Sequence, residues 1–322
     1  MVTDDHGAEL LLNRDIDFPK SCLILAVTVV ISQIMTDSSL HPLLSKLITA
    51  NHILHYHQVV DAYGHISVRN PSNPSTFFLS GSLAPALVSS PRDLVEYHVE
   101  DASPVNDDGR KGYAERFIHS EILKRFPGTN SVVHSHAEPV LPYTVCSVPL
   151  RPVFHMGGVM GGSVPVFDIA ASYSRNDVQD LLVSNAKLGA DFARRFSKTE
   201  SLTGKLISTT LGAVPVPADA QPEHPTVLMR GHGFTACGVS VEEAVYRAVF
   251  TQVNAKVQTA ALLLNSAAGP VNAAGVREEI KYLNTKEARD AWASNAKHAE
   301  RPWKLWCAEV EAAALYTNEL RT

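Results

Sequence analysis

Two histidines two residues apart, His134 and His136, end the short apolar run Ser131-Val132-Val133. Side chains alternate between the faces of a β-strand, so residues i and i+2 point the same way and can grip one ion from one side. Val132-Val133-His134-Ser135-His136 therefore reads as a strand carrying half of a metal site. A third neutral imidazole would complete a shell of three protein ligands with one open position, and His232 in Gly231-His232-Gly233 is the best-placed candidate. Glu115, one helix upstream of the pair, is the candidate acid or base. In a chain with 14 histidines two fall two apart by chance, so the pair alone leaves a structural reading open. His55, His57, His98, His224 and His298 read as solvated or hydrogen-bonded structural residues.

The rest of the chain frames that site as part of an ordinary globular protein. Its 322 residues are 45% hydrophobic and 19% charged, enough for one large domain or two small ones. A net charge of −5 and the lack of a Lys/Arg cluster give no field for a nucleic-acid backbone or an anionic membrane. Cys22, Cys146, Cys237 and Cys307 are scattered without a Cys-x-x-Cys pair, as expected of reduced thiols in a cytoplasmic protein. The apolar run 22–31 is about half the ~20 residues that a membrane span needs, and it follows an acidic N-terminus, so a buried strand or helix is expected there. Met35-Thr-Asp-Ser-Ser reads as a natural start before a helical pattern, which divides the chain into an N-terminal extension, 1–37, and a single domain, 38–322.

Along that domain the spacing predicts a helix from about Leu40 to His57 and a hairpin of strands His65–Arg69 and Thr76–Ser80. Pro85 to Tyr97 reads as a loop followed by a short helix opening at Ser90-Pro91-Arg92-Asp93. Ile118, Ile122 and Phe126 recur at i, i+4 and i+8, the stripe of an amphipathic helix closed by Pro127-Gly128. Later segments read as a strand Ser163–Phe167, a helix over Val178–Phe196, a strand Thr226–Arg230 and a long helix behind the capping box Ser240-Val-Glu-Glu243. The tail from about 276 to 318 reads as helical, with Trp292, Trp303 and Trp306. Paired short strands interleaved with helices predict an α/β sandwich with substantial antiparallel pairing. The stretch Gly157–Gly162 lacks Gly-x-Gly-x-x-Gly, so no dinucleotide site is expected.

Together these residues resemble the class II aldolase/adducin superfamily. Its pattern places a catalytic glutamate nineteen residues before the first histidine of an aliphatic-aliphatic-His-x-His strand, with a third histidine in a later His-Gly element. Glu115, Val132-Val133-His134-Ser135-His136 and Arg230-Gly231-His232-Gly233-Phe234 match it in register. The resemblance covers about residues 40 to 265 and implies a three-layer αβα sandwich around a mixed, largely antiparallel sheet. It also implies a divalent metal on His134, His136 and His232, most naturally Zn with Mn or Fe as alternatives, Glu115 as proton carrier, and a homotetramer.

The departures bear on the substrate. Where the sugar-phosphate aldolases of the family hold phosphate, this chain has Gly64-His65-Ile66-Ser67, Ser80-Gly81 and Tyr113-Ala114. An imidazole, a phenol and a methyl group replace an amide and two hydroxyls, so a sugar phosphate is not expected. The Gly-His-aliphatic-Ser variant resembles the branch containing a pyridine-dicarboxylate decarboxylase and an iron-dependent oxygenase. It implies a planar or carboxylated substrate, with Tyr113 stacking on it, Arg69 or Arg116 forking a carboxylate, and His65 or Tyr113 as a second acid. The reading is a metal-dependent carbon–carbon lyase, with an iron oxygenase and a non-catalytic scaffold as the alternatives.

Overall fold

A computed structural model describes residues 40–162, 164–197, 217–267 and 279–321. The chain divides into two compact units, Met1–Leu43 and Leu44–Thr322, and of the first only residues 40–43 are described. The apolar run 22–31 and the proposed start at Met35 lie outside the described residues.

Seven strands form one sheet: β1 (His65–Arg69), β2 (Thr76–Ser80), β3 (Leu94–His98), β4 (Ser131–Ser135), β5 (Val166–Phe167), β6 (Thr226–Met229) and β7 (Gly233–Gly238). Their order is β3-β2-β1-β4-β7-β6-β5, antiparallel throughout except for the parallel β5–β6 pair. The helices are α1 (residues 40–56), α2 (Arg116–Arg125), α3 (Leu141–Val145), α4 (Ala186–Ala193), α5 (Val241–Ala267), α6 (Thr285–Ala296) and α7 (Glu300–Ala312). The fold is the expected α/β sandwich around a mixed, largely antiparallel sheet.

Strand alternation assigns the two faces. The register Ser67↔Val132↔Cys237 puts these side chains on one face together with Phe77, Leu79, Val227 and Met229. Helices α2 and α4 cover that face through Ile118, Ile122, Leu188 and Phe192, all buried. Fully burying one such side chain contributes about 1.5–3 kcal/mol. Helix α5 packs on the opposite face against β4 and β7. Ser135 Oγ, on that face, donates to the Val59 carbonyl just beyond α1. His134 lies in register with His65 and Thr235, on the α2–α4 face, at the centre of the sheet.

Local structure departs from expectation where propensity and packing compete. Pro91–Asp93 makes only a single 3-10 turn, capped by Ser90, and the next five residues form β3 instead of a helix. Leu94, Val95 and Tyr97 are buried there, and the pairing with β2 supplies hydrogen bonds that a short exposed helix would lack. The helix expected over Val178–Phe196 contracts to α4 and one 3-10 turn, Arg194–Phe196. Strand β7 was not foreseen, because Gly233, Thr235 and Gly238 interrupt its apolar pattern. Among the described residues no helix is long and apolar enough to cross a membrane, and Cys146, Cys237 and Cys307 are free thiols.

Candidate metal and active site

Three elements bring the imidazoles together. Strand β4 delivers His134, and His136 follows on the same face two residues later. His232 sits in the tight turn between β6 and β7, where Met229 pairs with Gly233 and the His232 N–H donates to the Met229 carbonyl at 3.1 Å. Gly233 has a φ of 157°, and a Cβ built there would stand 2.0 Å from the Ser135 carbonyl oxygen. Only glycine lets the turn lie so close to β4.

The result is a triangle of Nε2 atoms: 3.0 Å from His134 to His136, 3.0 Å from His136 to His232 and 3.3 Å from His134 to His232. Around a tetrahedral ion with Zn–N bonds of about 2.0–2.1 Å, ligand nitrogens stand about 3.4 Å apart, so the triangle fits a small divalent cation. Two of the outer nitrogens are also held. His232 Nδ1 donates to the Leu181 carbonyl at 2.9 Å, which leaves a lone pair on Nε2. His134 Nδ1 lies 3.2 Å from Thr235 Oγ1. Such outer bonds fix the ring and tautomer of a ligating histidine. Burial holds His134 below the ordinary imidazole range, and burial with its neighbouring imidazoles takes His136 down to about 4, so both are neutral donors at physiological pH.

Glu115 stands at the N-cap of α2, but its carboxylate makes no capping bond. One oxygen accepts from the Val183 N–H at 3.0 Å; the other lies 3.5 Å from His134 Nε2 and 3.4 Å from His232 Nε2. Burial pushes this carboxyl up, and the two imidazoles more than offset it, so it stays well below the ordinary carboxylate range and is ionised. The same carboxylate and the Leu181 carbonyl raise His232 against the opposing effect of burial. The four side chains offer ligand atoms all within 4.8 Å of one another.

The remaining candidates separate into those near the centre and those held elsewhere. The His65 ring lies tilted 5.1 Å from the His134 ring and 4.5 Å from the Tyr113 ring. Its Nδ1 is 2.7 Å from His119 Nε2, and His119 Nδ1 is 2.7 Å from Ser67 Oγ. His119 is a residue that the sequence reading missed. It lies four residues after Glu115 and so on the same face of α2, a spacing that could have identified it. Ser67 is thus engaged by His119, and the Gly81 N–H is engaged by the Asp93 carbonyl at 2.7 Å. Gly64 packs against Val60 and the His134 carbonyl, where a Cβ would meet Val60 at 2.5 Å. Ser80 is fully buried, with its hydroxyl set against the Tyr113 phenol.

Arg69, Arg116 and Tyr113 are each anchored to backbone carbonyls. Arg69 donates to the carbonyls of Thr129, Pro74 and Leu123, and Arg116 to those of Ala102 and Tyr113, so both guanidiniums tie loops together. Arg69 thus has all three of its side-chain nitrogens engaged, and Arg116 two of its three. The Tyr113 hydroxyl donates to the Leu83 carbonyl, burial raises its pKa so that the phenol stays protonated, and its ring stands beside His65.

A mixed sheet with three convergent histidines and a carboxylate at its centre defines a class, and comparison with known proteins specifies it. Residues 45–259 match the class II aldolase and adducin N-terminal domain, and the chain belongs to that family. It is 49% identical over 271 residues to the decarboxylase tropJ of Talaromyces stipitatus, covering 84% of this chain and 95% of that protein. It is also 26% identical over 195 residues to a 3,4-dihydroxyphthalate decarboxylase of Arthrobacter keyseri, covering 58% of this chain and 64% of that protein. In fold it is similar to the L-fuculose 1-phosphate aldolase of Glaciozyma antarctica, with a TM-score of 0.58, 18% identity and coverage of 86% and 91% of the two chains.

Proposed function

We propose that this protein is a divalent-metal-dependent decarboxylase acting on a small, non-phosphorylated aromatic acid that carries a hydroxyl group beside the carboxylate. The observation that carries the reading is the Glu115 oxygen 3.4 and 3.5 Å from the Nε2 atoms of two of the three convergent histidines. The relatives named as decarboxylases support the reaction class, and one of them is named for an aromatic acid. A cation on His134, His136 and His232 would act as a Lewis acid for the electron pair left when the carbon–carbon bond breaks.

The chain's own groups then divide the proton work. Glu115, ionised, accepts the proton of the substrate hydroxyl. Glu115 then delivers that proton to the ring carbon that bears the carboxylate, the bond to the carboxylate carbon breaks, carbon dioxide leaves, and the electron pair of that bond restores the aromatic ring, so one carboxylate serves as base and then as acid. His65, held by His119 and backed by Tyr113, forms the adjoining wall and orients the ring. The Ser67 hydroxyl and the Gly81 N–H are already engaged within the protein, which takes two donors away from a phosphate dianion at that position, in keeping with a substrate that lacks one.

The test is anaerobic incubation of zinc- and manganese-loaded protein with a panel of hydroxylated benzoates and phthalates, including 3,4-dihydroxyphthalate, with release of carbon dioxide as readout. Release without oxygen, abolished in Glu115→Gln, is expected. Product formation that requires oxygen would place the site among oxygenases and contradict the reading.

A further inference from the structure

A cleft of about 650 Å³ opens beside His136, within the about 300–1,000 Å³ range of small-ligand sites. Tyr56 and Tyr316 line it together with Gln252 and Lys256 of α5. The Tyr316 wall is built in place. Its hydroxyl meets His55 Nδ1 at 2.9 Å, and its ring lies 5.1 Å from that of His52. Asn318 Nδ2, two residues on, donates to the Ser45 carbonyl at 2.9 Å and to Thr49 Oγ1 at 3.0 Å, and the Glu319 N–H donates to the Ser89 carbonyl at 2.8 Å. The C-terminal segment is thereby strapped over α1 with an aromatic face on the cleft.

Lys256 supplies the cleft's cation. With the Gln252 amide oriented to satisfy both its ends, its nitrogen donates to the Gln58 carbonyl at 3.0 Å and its oxygen accepts from Lys256 Nζ at 3.1 Å. An ammonium has three donors, and this uses one. Asp61 and Glu138 also line the cleft, and among the described residues neither forms an ion pair with Lys256.

We infer that this cleft receives the far end of the substrate and that Lys256 pairs there with a second anionic group, so that the preferred ligand is an aromatic acid with two anionic groups. The inference rests on the decarboxylase reading for the chemistry at the metal end, and its test needs no turnover. Binding of benzoate, phthalate, isophthalate and terephthalate to the zinc-loaded protein is measured by calorimetry. At least one dicarboxylate is expected to bind at least tenfold more tightly than benzoate. Lys256→Met removes that advantage while changing benzoate less than twofold, Lys256→Arg keeps it, and Tyr316→Ala weakens every ligand. No dicarboxylate advantage, or one that survives in Lys256→Met, overturns the inference. A Lys256-dependent advantage without carbon dioxide release from any aromatic acid sinks the decarboxylase reading alone, and release without that dependence sinks this inference alone.

Discussion

Glu115 is the residue on which the chemistry turns, because its carboxylate is freed from capping, ionised and aimed at two of the three convergent imidazoles. Glu115→Gln preserves shape and the contact to the Val183 N–H while removing the base. It should retain metal and lose at least about 100-fold in kcat, the usual scale of general acid–base catalysis; kcat within threefold of wild type would remove Glu115 from the mechanism. His119 is a different case. Its ring touches His65 and Ser67, so it is a positioning residue. His119→Leu leaves both partners unpaired in a buried site, at about 1–3 kcal/mol each. The expectation is a loss in kcat with metal content unchanged and partial rescue in His119→Gln; equal kcat in all three proteins would show the contact to be structural only.

At the scale of elements, the His232 turn shows what sequence can and cannot specify. The motif Gly231-His232-Gly233 was legible because glycine, histidine and glycine in a row have few other uses. The strand that makes the turn matter, β7, was not legible, since it begins and ends on glycine and only its pairing with β4 and β6 fixes the run between them. The same holds for β3, whose Pro91-Arg92-Asp93 entry resembles a helix start and whose pairing with β2 decides otherwise. Central β4 and amphipathic α2 were legible because their periodicity survives without neighbours. The backbone anchoring of Arg69 and Arg116 was not legible, because a guanidinium's carbonyl partners are placed only by the fold. Gly233→Ala drives a methyl group into the Ser135 carbonyl. The substitution should cost more than about 2 kcal/mol in denaturant titration and reduce metal content, and wild-type values for both would mean that the turn has room to shift.

The whole molecule buries several neutral histidines, and this gives its stability a pH dependence. Burial brings His52 down from 6.5 to about 4, against the opposing bond to the Val88 carbonyl, and His119 to about 3. Above pH 6.5 these groups are neutral in folded and unfolded chains alike and have no effect. As the pH falls from 6.5 toward 4 the unfolded chain binds protons that the fold refuses, so stability is lost, by about 3 kcal/mol for His52 alone at pH 4. His52→Gln, which can keep the donor to Val88, should flatten the slope of urea midpoint against pH between 6.5 and 4; an unchanged slope would show that His52 is not held neutral. The central claim is the metal centre itself, and elemental analysis of untagged protein purified without added metal or chelator tests it most directly, with His134→Ala as the control. About one divalent ion per chain, lost in the variant, is the predicted result, and protein that holds no metal and takes none up on addition would contradict the account.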